Sequence, residues 1–140
     1  MVHALEEAWR VAQSTLLDIR PVVEPPVVWV RDRAGREIEC GDLLWKGGEP
    51  HTHRSANAAL ATAVEQGLFV VEASRQFEWF DVFDNIDEMV ETITEEWENW
   101  SLDEATSLRV MKVLEASGRG TALFVKQGVQ VQVLRKARFV

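Results

Sequence analysis

Hydrophobic positions recur at helical spacing near the start and in the middle of this 140-residue chain, and at strand spacing near its end. Leu5, Ala8, Trp9, Ala12, Leu16 and Ile19 fall near i, i+3, i+4, i+7 spacing, with Glu6, Glu7, Arg10, Gln13 and Asp18 mostly on other faces. This predicts an amphipathic helix over residues 3–19, ended by Pro21. Residues 27–30 and 36–40 flank the turn signal Asp32-Arg33-Ala34-Gly35 and predict a β-hairpin. Leu43-Leu44-Trp45 is a candidate third strand.

Lys46 to Ser55 reads as a loop, with Ser55 capping a helix over residues 56–66 and Gly67 as its left-handed stop. Residues 68–71 and 76–83 predict two strands. The clearest helical repeat is Ile86, Met89, Val90, Ile93, Trp97 and Trp100, capped by Asp84, with Asp87, Glu88, Glu91, Glu95, Glu96 and Glu98 on its other face. Ser101-Leu102-Asp103-Glu104 matches a capping box. A further helix should therefore follow at once, burying Leu102, Ala105, Leu108, Met111 and Leu114 and stopping at Gly118. Val129, Val131 and Val133 alternate with Gln130 and Gln132, the pattern of a sheet with one wet face. A turn at Gln127-Gly128 would join this strand to another over 121–125. The order of elements predicts a single α+β domain over residues 1–140, a mixed or antiparallel sheet with amphipathic helices packed on one side.

Charge changes this picture. The net −8 divides into −3 over residues 1–71, −11 over 72–104 and +6 over 105–140, so an acidic aromatic middle precedes a basic tail. The partner such surfaces call for is the protein itself, within one chain or as a homodimer, or else another protein. Phe77, Trp79, Phe80, Trp97 and Trp100, with Arg135, Lys136 and Arg138 as the basic counterpart, are the expected interface residues. The overall negative charge argues against nucleic acid and against an anionic membrane. One cysteine, Cys40, excludes an intrachain disulfide framework. With no long apolar run and no leader pattern over residues 1–10, the expected setting is cytoplasmic.

Candidate chemistry is sparse. His51 and His53, two residues apart in a presumed loop, can both reach one metal ion from extended backbone, with Glu49 completing the shell. That is the basis of an alternative reading as a small metal-dependent enzyme; histidines in a glycine- and proline-containing loop are more often simply solvated. Cys40 is a candidate nucleophile or a buried, inert thiol. Glu88, Glu91 and Glu95 share a helical face, as paired carboxylates or as an ordinary solvated surface. No phosphate-cradling or dinucleotide glycine pattern is present. The residues thus name no catalytic group and no cofactor. They favour a non-catalytic binding or regulatory domain, with an apolar small-ligand binder as a further alternative.

The run Gly67-Leu68-Phe69-Val70-Val71-Glu72, then Phe77-Glu78-Trp79, then residues 83–89 leading into a tryptophan-bearing helix, resembles the C-terminal part of class I S-adenosylmethionine-dependent methyltransferases. The resemblance covers residues 56–135. It lacks the family's glycine-rich cofactor loop, so it implies no cofactor residue and no methyl transfer. What it implies is at most a non-catalytic relative or accessory of such enzymes.

Overall fold

The computed structural model describes residues 2–47 and 51–138, and at residues 2 and 51–53 it describes the backbone alone. The element order is α1 (Val2–Val11), β1 (Thr15–Pro21), β2 (Val27–Arg31), β3 (Glu37–Asp42), β4 (Leu44–Trp45), α2 (His51–Glu65), β5 (Phe69–Phe83), α3 (Ile86–Glu95), β6 (Trp100–Ser101), α4 (Glu104–Ser117) and β7 (Ala122–Lys136). The fold is α+β. Two compact units are present: Met1–Val23, Pro50–Phe77 and Gly128–Val140 form the first, Glu24–Glu49 and Glu78–Gln127 the second. β5 and β7 each supply residues to both.

In the first unit β1 pairs antiparallel with β7, from Thr15↔Arg135 to Pro21↔Val129. The helix expected over 3–19 therefore stops at Val11 and its second half is a strand. Leu16 and Leu134 are opposite each other in this ladder, and both join a small core with Leu5, Trp9, Leu60 and Phe69. Backbone pairing over a whole strand, plus that burial, overrides a local helical spacing. Pro21 does not end a helix; it is the last residue of a strand at the sheet's edge, where a missing amide is tolerated.

The helix α2 begins at His51, within the stretch expected as loop, so Ser55 is inside it and does not cap it. Gly67 does stop the helix, at φ +77°, with its own amide on the Val64 carbonyl and that of Leu68 on Ala63. The two strands expected over 68–71 and 76–83 are a single strand, β5. The expected turn at Gln127-Gly128 is likewise absent, because β7 runs straight through it. Gly128 serves a close approach: a Cβ there would lie 2.7 Å from Val22 Cγ2, and the Val22 amide donates to the Gly128 carbonyl at 3.0 Å.

In the second unit the expected hairpin is present. β2 pairs with β3 antiparallel, with a register shift between Val28 and Trp29, and β2 pairs with β7 from Val27↔Lys126 to Arg31↔Ala122. Asp32 holds the turn: its Oδ1 accepts from the Ala34 and Arg36 amides, each at 2.9 Å. α4 packs on β2 and β3. It comes so close that a Cβ on Gly41 would sit 2.5 Å from Thr106 Oγ1. The core contains Val28, Val30, Leu43, Met89, Ile93 and Val110, all at most 1% exposed.

Three cap and face expectations are corrected here. Asn85, not Asp84, caps α3, accepting from the Glu88 amide, while the Glu88 carboxylate accepts from the Asp84 amide. α3 ends at Glu95, so Trp97 and Trp100 lie beyond it; Trp100 is in β6, paired with Trp45. Asp103, not Ser101, caps α4, accepting from the Thr106 amide at 3.1 Å, while Ser101 is a strand residue. α4 buries Thr106 and Val110, whereas Leu108 and Met111 are exposed. Leu102 and Leu114 do pack against the core as expected, and contact with Gly41 and the sheet turns inward the face they share with Thr106 and Val110.

Candidate binding surface

Several large exposed apolar side chains lie on β5. Among the described residues β5 pairs only with β7, while β7 also has β1 and β2, so the far edge of β5 carries an unpaired row of backbone groups. Low numbers in β5 meet high numbers in β7, and the reverse. The Ala137 amide donates to the Leu68 carbonyl, Glu72 pairs with Arg135, and Phe80 touches Phe124, which is the antiparallel sense. Along the strand, Phe77 is 46%, Trp79 58%, Phe80 45% and Val82 69% exposed. Alternation puts Phe77 and Trp79 on one face and Phe80 and Val82 on the other. Both faces thus present apolar surface, and only the ends, Phe69 and Phe83, are buried.

Phe80 is anchored on its own sheet by a cluster that the sequence reading did not single out. Lys126 Nζ lies 4.5 Å from the Trp29 ring centre and 5.7 Å from those of Phe80 and Phe124. It also donates to Glu37 Oε2 at 2.6 Å, and Arg31 Nη2 donates to Glu37 Oε1 at 2.8 Å. The Lys126 hydrogen bond, and after it that of Arg31, hold the Glu37 carboxyl below the usual carboxylate range. The available signal was alternation: Val28 and Val30 point inward, so Trp29 shares the other face with Lys126 and Phe124.

The remaining expected interface residues divide. Trp97 and Trp100 pack against the second unit's own core; the Trp100 and Trp45 rings meet edge-on with centroids 4.9 Å apart, and Phe83 and Trp97 are tilted at 6.4 Å. Arg135 is engaged within its chain, with Nε 2.8 Å from Glu72 Oε1. Lys136 Nζ lies 4.4 Å from the Trp9 ring centre and donates to the Ala12 carbonyl at 3.1 Å. Trp9, Gln13, Ser14, Lys136 and Arg138 line a groove of about 600 Å³ in the first unit. A second concavity of about 420 Å³ lies over Arg20, Asn57 and Gln130, where Asn57 Oδ1 accepts from Arg20 at 2.8 Å and from Gln130 at 3.1 Å.

Of the candidate metal residues, Glu49 lies outside the described residues, as do the side chains of His51 and His53. The backbone of both histidines is in the first turn of α2, not in extended chain. Positions two apart on a helix do not face each other. Among the described residues no three His, Cys, Asp or Glu side chains form a metal-sized cluster. Cys40 is fully buried, and burial, more than the opposing field of Arg109, pushes its thiol pKa up. That is the environment of an inert thiol. Glu88, Glu91 and Glu95 are exposed on α3. Among the described residues no helix is long and apolar enough to cross a membrane.

Comparison with protein-family models, with curated proteins and with solved structures returns no match for this chain.

Proposed function

We propose that this chain is a non-catalytic binding module that self-associates through β5. The observation that carries this reading is the strand itself: 15 residues long, unpaired along one edge among the described residues, with apolar side chains 45–69% exposed on both faces. Proteins ordinarily blunt such an edge with a bulge, a proline or inward-pointing charge. β5 has no proline, and its four charges, Glu72, Arg75, Glu78 and Asp81, are interleaved with exposed apolar residues. Pairing with another strand satisfies the open backbone groups and covers the rings at the same time.

Each copy carries a net −8, so two copies repel through solvent and added salt should favour the dimer. Sedimentation velocity at low and high ionic strength tests the reading. A dimer whose population rises with salt and with protein concentration is expected. A monomer under both conditions overturns it.

A second reading, a small-ligand binder, is favoured by the groove beside Trp9. Its volume of about 600 Å³ falls in the range of ligand sites, and it combines an indole with Lys136 and Arg138. Quenching of tryptophan fluorescence by an aromatic carboxylate such as benzoate, lost in Trp9→Leu, is the corresponding test.

A further inference from the structure

The sequence of β5 is self-complementary in one antiparallel register, and we infer that two copies pair β5 to β5 with Phe77 opposite Phe77 across a two-fold axis. This inference rests on the self-association reading and specifies its geometry.

The registers open to the strand differ in the side chains they oppose. In an antiparallel pair, residues directly opposite each other point to the same face of the sheet. A two-fold axis perpendicular to the sheet keeps every side chain on its own face, so the axis must pass at a residue that faces its own copy. The candidates lie in the exposed middle of the strand. β5 carries four charges, Glu72, Arg75, Glu78 and Asp81, and Arg75 is its one base. Centring on Arg75 sets Arg75 against Arg75 and Glu72 against Glu78, which is repulsive three times over. Centring on Glu78 sets that carboxylate against itself at the axis, although it also puts Arg75 opposite Asp81. Centring on Gln76 puts Glu72 opposite Phe80 and Asp81 opposite Val71, and brings the two Arg75 side chains onto a diagonal.

Centring on Ser74 or on Trp79 puts Trp79 or Arg75 opposite a buried end residue, Phe69 or Phe83, and centring on Phe77, like centring on Gln76, opposes no like charges directly. Phe77 meets Phe77 at the axis. Arg75 faces Trp79 of the second copy, a cation-over-indole arrangement, and has Asp81 of that copy on the next diagonal. Gln76 faces Glu78 as a donor to a carboxylate, and Ser74 faces Phe80. The cost is one diagonal pair of Glu78 side chains beside the axis, on an exposed side of the strand where salt screens it. The three side chains that are hardest to explain on an isolated copy, Phe77, Trp79 and Arg75, all acquire partners.

Single cysteines read out the register, with Cys40 retained because it is buried, so that the unsubstituted protein is the control. In mild oxidant Phe77→Cys is expected to form its own disulfide about tenfold faster than Trp79→Cys, because directly opposed Cβ atoms meet disulfide geometry. In this register the two residues at position 79 are about four residues, or ~13 Å, apart along the ladder. An equal mixture of Arg75→Cys and Trp79→Cys copies, which leaves Phe77 in place, should give the mixed disulfide over either self-disulfide. If sedimentation shows a dimer but Gln76→Cys or Glu78→Cys cross-links fastest, the register is wrong and self-association stands. If the unsubstituted protein sediments as a monomer at low and high salt, both fall.

Discussion

Lys126 holds its ammonium 4.5 Å from the centre of the Trp29 ring, where β2 and β7 pair. The same ammonium is bound to Glu37, so one lysine ties three strands, β2, β3 and β7, and touches a fourth through Phe80.

This arrangement makes stability depend on pH in a defined direction. The Glu37 carboxyl titrates below its ordinary value in the folded protein. Its contribution is complete above the unfolded value of about 4.3 and is lost as pH falls through the lowered folded value. Lys126→Met, which keeps most of the aliphatic stem, should lower the urea midpoint at neutral pH. The gap to the unsubstituted protein should narrow as the pH drops below about 4. Urea unfolding at both pH values measures it, and a pH-independent gap contradicts the assignment.

Gly128 should not accept a side chain. Gly128→Ala places a methyl 2.7 Å from Val22 Cγ2 and is expected to cost about 1–3 kcal/mol. Val22→Ala in the same background should recover most of that loss. Failure of the second substitution to rescue would show that the glycine is needed for its backbone and not for space.

The helix faces found here differ sharply in energetic weight. Ile93, fully buried on α3, should lose about 2–5 kcal/mol on change to alanine. Leu108, 47% exposed on α4, should change stability by no more than about 0.5 kcal/mol on change to serine. Equal effects at the two sites would mean that α4 buries the face counted from its apolar spacing.

Cys40 should be silent toward thiol reagents in the native protein and react fully once the chain is unfolded, because it has no exposed surface. Stoichiometric labelling of the native protein with an aromatic disulfide reagent, with no loss of far-ultraviolet dichroism, would contradict this.

Much of the architecture was legible where local chemistry and tertiary contact agree. The hairpin of β2 and β3 follows from β-branched residues around an aspartate-led turn, and Gly67 and Gly118 stop their helices where glycine is needed. Residues 15–21 were not legible as a strand because Leu16, Leu17 and Ile19 place apolar groups on both faces, so the same letters fit a helical stripe. What decides them is β7, more than a hundred residues later in the chain. The single long strands β5 and β7 were hidden for a related reason. A glycine such as Gly128 reads as punctuation until the side chain that crowds it, Val22, is in view. At the surface, alternation along β5 was sufficient to expose an apolar strand with two outward faces. The lysine cluster around Trp29 was not, because its members come from four strands, β2, β3, β5 and β7.

The edge-on contact of Trp45 and Trp100, at 86° between planes, has an optical consequence. Two indoles at that spacing couple their electronic transitions and give a paired positive and negative circular-dichroism band that a lone indole lacks. Since β4 and β6 bring these rings together, that signal is a native spectroscopic gauge of whether this short ladder is closed.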